Sequence, residues 1–279
     1  MKFKASGVLL AAVMLTACGG SDNSNDTVSA NVAIAAELKG PESEPALTPV
    51  TIANGDSVEL NSLISGNLAQ ENDEINITFD AEENGLVALV LSSSASDFDL
   101  QVSSSLGGAS FTGENDGSRE VILFEAEKSL RYFITVDSYK SSGDFTLKLV
   151  EANRQSLELT ENEYAVSIKE NSDYKCTLVE YSEEENYILF VSWRNGYIKA
   201  PGGEKYQFSS ADGNSVTVKI NESESGESFN YSLTDTIRFA VNEQTGAIDG
   251  TKTGSFTYTE KGDGNSCSYN SELTGSILL

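Results

Sequence analysis

The chemistry open to this chain is limited first by a residue type it lacks. Its 279 residues include no histidine. That excludes HExxH metalloproteases, Ser-His-Asp and Cys-His hydrolases, and His-ligated zinc or haem. Acidic side chains are plentiful instead: 43 Asp and Glu against 18 Lys and Arg, a formal charge of −25. Carboxylates can do two things without histidine. One is to bind Ca²⁺, which takes about six to eight oxygens. Asp97 and Asp99 form an Asp-x-Asp pair, and Asp116 and Asp137 fall at nearby strand ends and loops. Together they make calcium the candidate cofactor. The same aspartates can instead cap turns by bonding their own backbone, and no segment has the EF-hand pattern. The other possibility is glycoside hydrolysis by a carboxylate pair. Nothing singles out one pair among so many, so the expectation is a protein that is not an enzyme.

The cysteines are Cys18, Cys176 and Cys267. Cys18 closes a distinctive N-terminus. A basic start, Met1-Lys2-Phe3-Lys4, leads into an apolar run from Ala5 to Ala17. At about 13 residues the run is short of the roughly 20 that a membrane-spanning helix needs. It reads as an export signal. Its end, Leu15-Thr16-Ala17-Cys18, resembles the bacterial lipobox. The resemblance implies cleavage after residue 17 and acylation of Cys18, with the lipid bilayer as partner. Gly19-Gly20, with no aspartate beside the cysteine, implies the outer membrane. An ordinary signal peptide with a chance cysteine is the alternative. In an exported chain the two remaining cysteines form the natural disulfide, Cys176–Cys267. It would close a loop of about 90 residues, worth about 4–5 kcal/mol in the chain-entropy model.

Loss of Lys2 and Lys4 with the signal takes the charge from −25 to about −27. Nucleic acid is therefore not an expected partner, because binding it requires Lys and Arg to neutralise phosphates. The surplus of carboxylates suits a well-solvated acidic surface or collection of Ca²⁺.

These residues need elements to position them. Residues 18–50 are small and polar, with Pro41, Pro45 and Pro49 near the end, and are expected to form a disordered tether. Short strands begin at about residue 51. Ile75-Asn76-Ile77-Thr78-Phe79 alternates apolar and polar, and Leu86–Leu91 is apolar on both faces, as for a central sandwich strand. Further strands cover Phe98–Val102, Val121–Phe124, Tyr132–Val136 and Phe145–Val150, separated by turn clusters such as Glu83-Asn84-Gly85 and Ser141-Ser142-Gly143-Asp144. Residues 51–152 are thus expected to form a β-sandwich.

Within this unit several pieces resemble the bacterial pre-peptidase C-terminal (PPC) domain. They are Ile64-Ser65-Gly66-Asn67-Leu68, Asp73-Glu74-Ile75 leading to Phe79-Asp80-Ala81, Asp97-Phe98-Asp99-Leu100, Arg131–Val136 and Ser142–Leu149. Glu74-Ile75-Asn76 stands where the family often has an aromatic residue, and Ser129-Leu130-Arg131 where it often has a glycine. The resemblance implies a jelly-roll-like accessory module of secreted proteins, which in some members binds matrix polymers or calcium.

Residues 153–279 form a second all-β unit. Tyr187–Trp193, Val216–Ile220, Ile237–Val241 and Ser255–Thr259 read as strands, with turns at Asn195-Gly196, Asp212-Gly213-Asn214 and Gln244-Thr245-Gly246. Sequential hairpins predict an antiparallel meander, either a small barrel or a curved sheet, with Ser276–Leu279 as its closing strand. Glu183-Glu184-Glu185 reads as a solvated loop. Most of the aromatics, Tyr187, Phe190, Tyr197, Tyr206, Phe208 and Phe239 among them, suit a core. Trp193 sits at a strand end beside Asn195-Gly196 and is the ligand-facing candidate. The expected protein is thus an outer-membrane lipoprotein serving as a binding or structural module for an envelope polysaccharide or protein. An apolar-ligand carrier built on the second unit is the alternative, and a polysaccharide-acting enzyme is a third.

Overall fold

The computed structural model describes residues 28–30, 32–35, 43, 45–93, 97–107, 111–113, 119–138, 142–201, 203, 205–225, 229–260 and 263–279. The export signal, Cys18 and Asp116 lie outside the described residues. Every regular element among the described residues is a strand, so the all-β expectation holds.

Period-two alternation builds the first unit. Its strands are β1 (Thr48–Thr51), β2 (Ser57–Val58), β3 (Ser62–Leu68), β4 (Glu74–Asp80), β5 (Gly85–Ser93), β6 (Phe98–Ser104), β7 (Phe111–Gly113), β8 (Arg119–Ala126), β9 (Arg131–Ser138) and β10 (Gly143–Glu151). They form two five-stranded sheets, ordered β1-β3-β10-β5-β8 and β2-β4-β9-β6-β7. Ile64, Leu89 and Leu147 of the first sheet and Ile77, Leu100 and Ile134 of the second belong to one buried core. Each such side chain contributes on the order of 1.5–3 kcal/mol. Gly66 of β3 has no side chain for a packing reason: a Cβ there would overlap the Phe145 ring.

The second unit is a closed eight-stranded barrel. Its strands are β11 (Tyr164–Cys176), β12 (Glu180–Ser192), β13 (Tyr197–Lys199), β14 (Lys205–Asp212), β15 (Ser215–Ser225), β16 (Phe229–Val241), β17 (Ala247–Glu260) and β18 (Asp263–Ile277). Each pairs antiparallel with the next, and β18 returns to β11 to close the ring. Cys176 and Cys267 are cross-strand partners on β11 and β18 and are joined by a disulfide. One end of the barrel, its base, carries the β12–β13, β14–β15 and β16–β17 turns. The other end, its mouth, carries the disulfide.

Three expectations need correction. The second apolar face of β5 is not explained by the sandwich core. Leu86, Ala88 and Val90 of β5, with Val121 and Leu123 of β8, pack outward against Ala165, Ile188 and Phe190 of the barrel wall and the chain end at Leu278 and Leu279. The two units therefore share a buried apolar interface. Part of the expected tether is also ordered. Ala30 is buried in the barrel core, with Val28, Val32 and Ile34 packed against it. The Ala30 N–H donates to the Trp193 carbonyl at 3.0 Å, and the Ala35 N–H donates to that of Glu243 at 2.8 Å. Val28, Ala30, Val32 and Ile34 alternate, which is the pattern of a half-buried strand. Glu183-Glu184-Glu185, finally, is not a loop but lies within β12.

Candidate functional site in the barrel interior

A barrel strand points alternate residues inward. Along β11 these are Tyr164, Val166, Ile168, Glu170, Ser172 and Tyr174, so the interior changes character from base to mouth. At the base it is filled. Val166, Leu189, Val191, Trp193, Ile198, Phe208, Phe239 and Ile248 form one buried apolar cluster. Trp193, the sequence's ligand-facing candidate, is 2% exposed. Its ring packs edge-on against Tyr164 and Phe239, at centroid distances of 5.5 and 6.5 Å. It is a core residue at the closed end rather than a surface platform.

Toward the mouth the interior is mixed: Ile220, Leu233 and Phe256 remain part of the apolar cluster, while a polar network forms beside them. The centre of that network is Lys252 of β17, which is fully buried. The Lys252 ammonium lies 3.3 Å from Glu170 of β11 and 4.0 Å from Asp235 of β16. It also sits 5.5 Å from the Tyr269 ring centroid. Glu170 Oε1 accepts from the hydroxyls of Ser172 at 2.8 Å and Ser271 at 2.7 Å. Glu170 Oε2 accepts from the Tyr187 hydroxyl at 2.8 Å. The Tyr269 hydroxyl donates to Asp235. Gly254 leaves room for this contact: a Cβ there would overlap both the Asp235 carboxylate and the Tyr269 oxygen.

The two carboxylates respond differently to the same surroundings. Burial would raise the Glu170 carboxyl, but Lys252 and the three hydroxyls outweigh it and hold the group below its ordinary value. Burial dominates at Asp235 and raises it, with Lys252 and the Tyr269 hydroxyl offsetting only part. The pair therefore presents one firm anion, Glu170, and one carboxyl readier to take a proton.

Closer to the mouth Glu183, Tyr206, Glu222 and Tyr231 are half-buried, while Tyr174 is buried. Glu183 of β12 is raised by burial and then by Glu170. Tyr231 of β16 is pushed up to about 12 by burial, with Glu222 and Asp235 adding. The Tyr206 hydroxyl donates to Glu222 Oε1 at 2.6 Å, while Glu222 Oε2 is buried without a hydrogen-bond partner. Tyr174 and Tyr181 stack at 4.7 Å with an interplanar angle of 12°. On the outer surface of β12, Glu184 pairs with Lys169 at 2.7 Å. The mouth half of the lumen is thus an anionic, phenol-lined surface that can receive cationic or hydrogen-bond-donating groups. Tyr187 and Tyr206 belong to it, whereas Phe190 packs in the interface between the units and Tyr197 bonds Glu163 at 2.8 Å outside the lumen.

Among the described residues the wall around this half is incomplete. β12 pairs with β13 only at Phe190, Val191 and Ser192. β15 pairs with β14 only between Ser215 and Val218. Above those levels β14 continues only to Lys205, still paired with β13, and beyond it no described strand lies between β12 and β15, although both continue, to Glu180 and Ser225 respectively.

The sandwich aspartates fall elsewhere. Asp99 on β6 pairs across with Asp137 on β9, which in turn pairs with Glu74 on β4. Burial raises the Asp137 carboxyl and Glu74 raises it further. Asp97 immediately precedes β6. Among the described residues no three His, Cys, Asp or Glu side chains gather as a metal-ion site. Sequence reasoning did not single out Glu170, Asp235, Lys252 or Tyr269. Their one signal is placement: each occupies a period-two position that further along the same strand holds an apolar side chain.

No known family model matches the sequence. No curated protein matches it either. Among solved structures, the chain is similar to the pre-peptidase C-terminal domain of a collagenase from Bacillus anthracis, at 16% identity and a TM-score of 0.31. The similarity covers 35% of this chain and 97% of that domain.

Proposed function

We propose that this chain is a lipid-anchored envelope protein that binds a partner without catalysis, and that its binding element is the mouth half of the barrel. The observation that carries this reading is the split interior. The base is filled by the protein's own apolar side chains. The mouth half is lined by carboxylates and tyrosines behind a wall in which, among the described residues, β13 and β14 stop short. Closed barrels whose interiors are not filled by their own side chains hold ligands there. Here the lining favours a positively charged group, through carboxylates and through the faces of tyrosine rings. The alternative of an apolar-ligand carrier is weaker, because the part of the barrel suited to an apolar guest is already packed. The sandwich, applied to the barrel wall through an apolar interface, serves as its support. Calcium on Asp97, Asp99, Asp116 and Asp137 stays a separate proposal for the sandwich alone.

The lipobox-like Leu15–Cys18 supports the anchor, and Gly19-Gly20 supports the outer membrane as its place. Val28 is ten residue steps from Cys18, a reach of at most about 36 Å. The base of the barrel would then face the bilayer and the mouth would face away from it.

The test is thermal unfolding of the purified full chain with spermine, with a fatty acid and with neutral dextran. A ligand at 100 times its dissociation constant stabilises by about 2.7 kcal/mol. The expected result is a rise in midpoint with spermine, lost in high salt, and none with the other two. A rise with the fatty acid alone would transfer the support to the apolar carrier. Palmitate labelling of cells tests the anchor: the wild-type chain takes up label and Cys18→Ser does not.

A further inference from the structure

Among the described residues, the piece of wall lacking between β12 and β15 has the length of a strand. Beside it, β12 runs on for the stretch 180–189 after its ladder with β13 has ended, and β15 runs on through 219–225 after its ladder with β14 has ended, with β14 itself reaching Lys205 alongside the first of these residues. Both strands keep extended geometry there because their other edges are fully laddered, β12 to β11 and β15 to β16. Two extended edges therefore face one gap. Proteins guard such edges with charged side chains, proline, bulges or cover. Here the guard is charge alone, Glu180, Glu183, Glu184 and Glu185 on β12 and Glu222 on β15, which repels acidic strands and leaves a basic one free to pair. Neither stretch contains proline, and the one register shift nearby lies in β14, between Phe208 and Ser210.

The gap also has a sign. Glu183 lines the lumen from the β12 side and Glu222 from the β15 side, with Glu170 and Asp235 behind them. Glu222 Oε2 is buried without a hydrogen-bond partner. Lys252, the cation of the network, is already engaged by Glu170 and Asp235. A guest strand entering here would meet main-chain groups along its edges and carboxylates and phenols on its inward face. Its side chains would alternate, inward then outward.

We propose that the barrel is completed in its mouth half by an extended basic segment of another polypeptide, added as a strand between β12 and β15, with alternate Lys or Arg side chains turned inward onto Glu183, Glu222 and the tyrosines. This is strand addition, in which main-chain hydrogen bonds supply affinity and alternate side chains supply specificity. It rests on the reading of the mouth half as the binding element and names the class of partner. A second copy of this chain is not the occupant, because its own edge would bring glutamates against glutamates.

The test uses the full chain and three probes at low ionic strength: the capped decapeptide (Lys-Thr)5, the same peptide N-methylated at alternate residues, and spermine. Binding is read by titration calorimetry. The (Lys-Thr)5 peptide is expected to bind one to one, weakening as salt screens the carboxylates. N-methylation removes the donors a ladder needs and should weaken binding about tenfold or more. The Glu183→Gln/Glu222→Gln protein should also lose about tenfold, with its unfolding midpoint as a check that it still folds. If the N-methylated peptide or spermine binds as tightly as (Lys-Thr)5, strand addition is wrong while the cation-receiving mouth stands. If none of the cationic probes binds, both are wrong. Binding unchanged in the folded double variant places the peptide elsewhere and overturns the proposal.

Discussion

Replacing Lys252 with methionine is the sharpest probe of the barrel's polar interior. The substitution keeps an unbranched apolar stem in a fully buried position and removes the ammonium that faces Glu170 and Asp235. Removing one partner of a buried pair costs about 3–5 kcal/mol, because the other charge is left without compensation. Glu170 retains three hydroxyl donors, from Ser172, Ser271 and Tyr187, which favours the lower end, about 3 kcal/mol. For a chain of this size that is a fall of roughly 6–12 °C in midpoint. The chain has one tryptophan, and it lies in the barrel base, so guanidinium unfolding followed by Trp193 fluorescence reports on the barrel. The pH dependence gives a second check. Without the ammonium, burial and mutual repulsion raise both carboxyls in the folded state. A group raised in this way contributes stability below its unfolded value and loses it as pH rises through its folded value. In the wild-type protein Glu170 is depressed and contributes above its unfolded value, losing this as pH falls. Both effects make the gap between variant and wild type widest at neutral pH and narrower toward pH ~4. The triple variant Lys252→Met/Glu170→Gln/Asp235→Asn should regain most of the loss, because no buried charge remains. A loss below about 1 kcal/mol at neutral pH, or one that does not shrink on acidification, would refute a dry, charge-balanced network.

Three further outcomes follow from specific contacts. Glu163, buried before β11, accepts from Thr160 and Tyr197 and pairs with Lys199 at 2.7 Å. Burial would raise its carboxyl, but these partners outweigh it and hold it at about 2. Glu163→Gln should cost about 1–3 kcal/mol at neutral pH. In urea titrations that deficit should be constant above the ordinary value of 4.5 and should close as pH falls toward about 2. Opening the Cys176–Cys267 bridge frees a loop spanning 91 residues. Guanidinium curves of oxidised and reduced protein should differ by about 4–5 kcal/mol in the chain-entropy model, and a difference under about 1 kcal/mol would contradict it. Gly254→Ala drives a methyl group into the Asp235–Tyr269 contact and should cost about 1–3 kcal/mol or more. An unchanged melting midpoint would mean that this contact can yield freely.

The class of the fold was legible in the sequence. Alternation at Ile75–Phe79, Phe145–Leu149 and Ile237–Val241 marked strands because one face of each meets apolar core and the other does not. The turns could be read there as well: Gly196, Gly213 and Gly246 take positive φ, and each lies at a hairpin that its neighbours had signalled. The Cys176–Cys267 bridge followed from the expectation of export and the cysteine count. Burial of Leu86–Leu91 was legible too, but only the tertiary structure showed that its second apolar face covers the barrel rather than the sandwich core. Apolarity records removal from water and does not name the surface that removes it. Val28 to Ile34 alternate as a strand does, yet lie in a small, polar neighbourhood that reads as tether. The barrel base supplies the partner that makes their burial favourable. The largest gap was the polar lumen. β11 and β18 were poorly legible because Glu170, Ser172, Ser271 and Tyr269 occupy inward positions where pattern reading looks for aliphatics. A charge at such a position has no meaning in one strand alone. Lys252, Glu170 and Asp235 lie on β17, β11 and β16, separated by 17 to 82 residues in sequence. Only closure of the barrel brings them within reach and out of water, where each makes the others' burial tolerable.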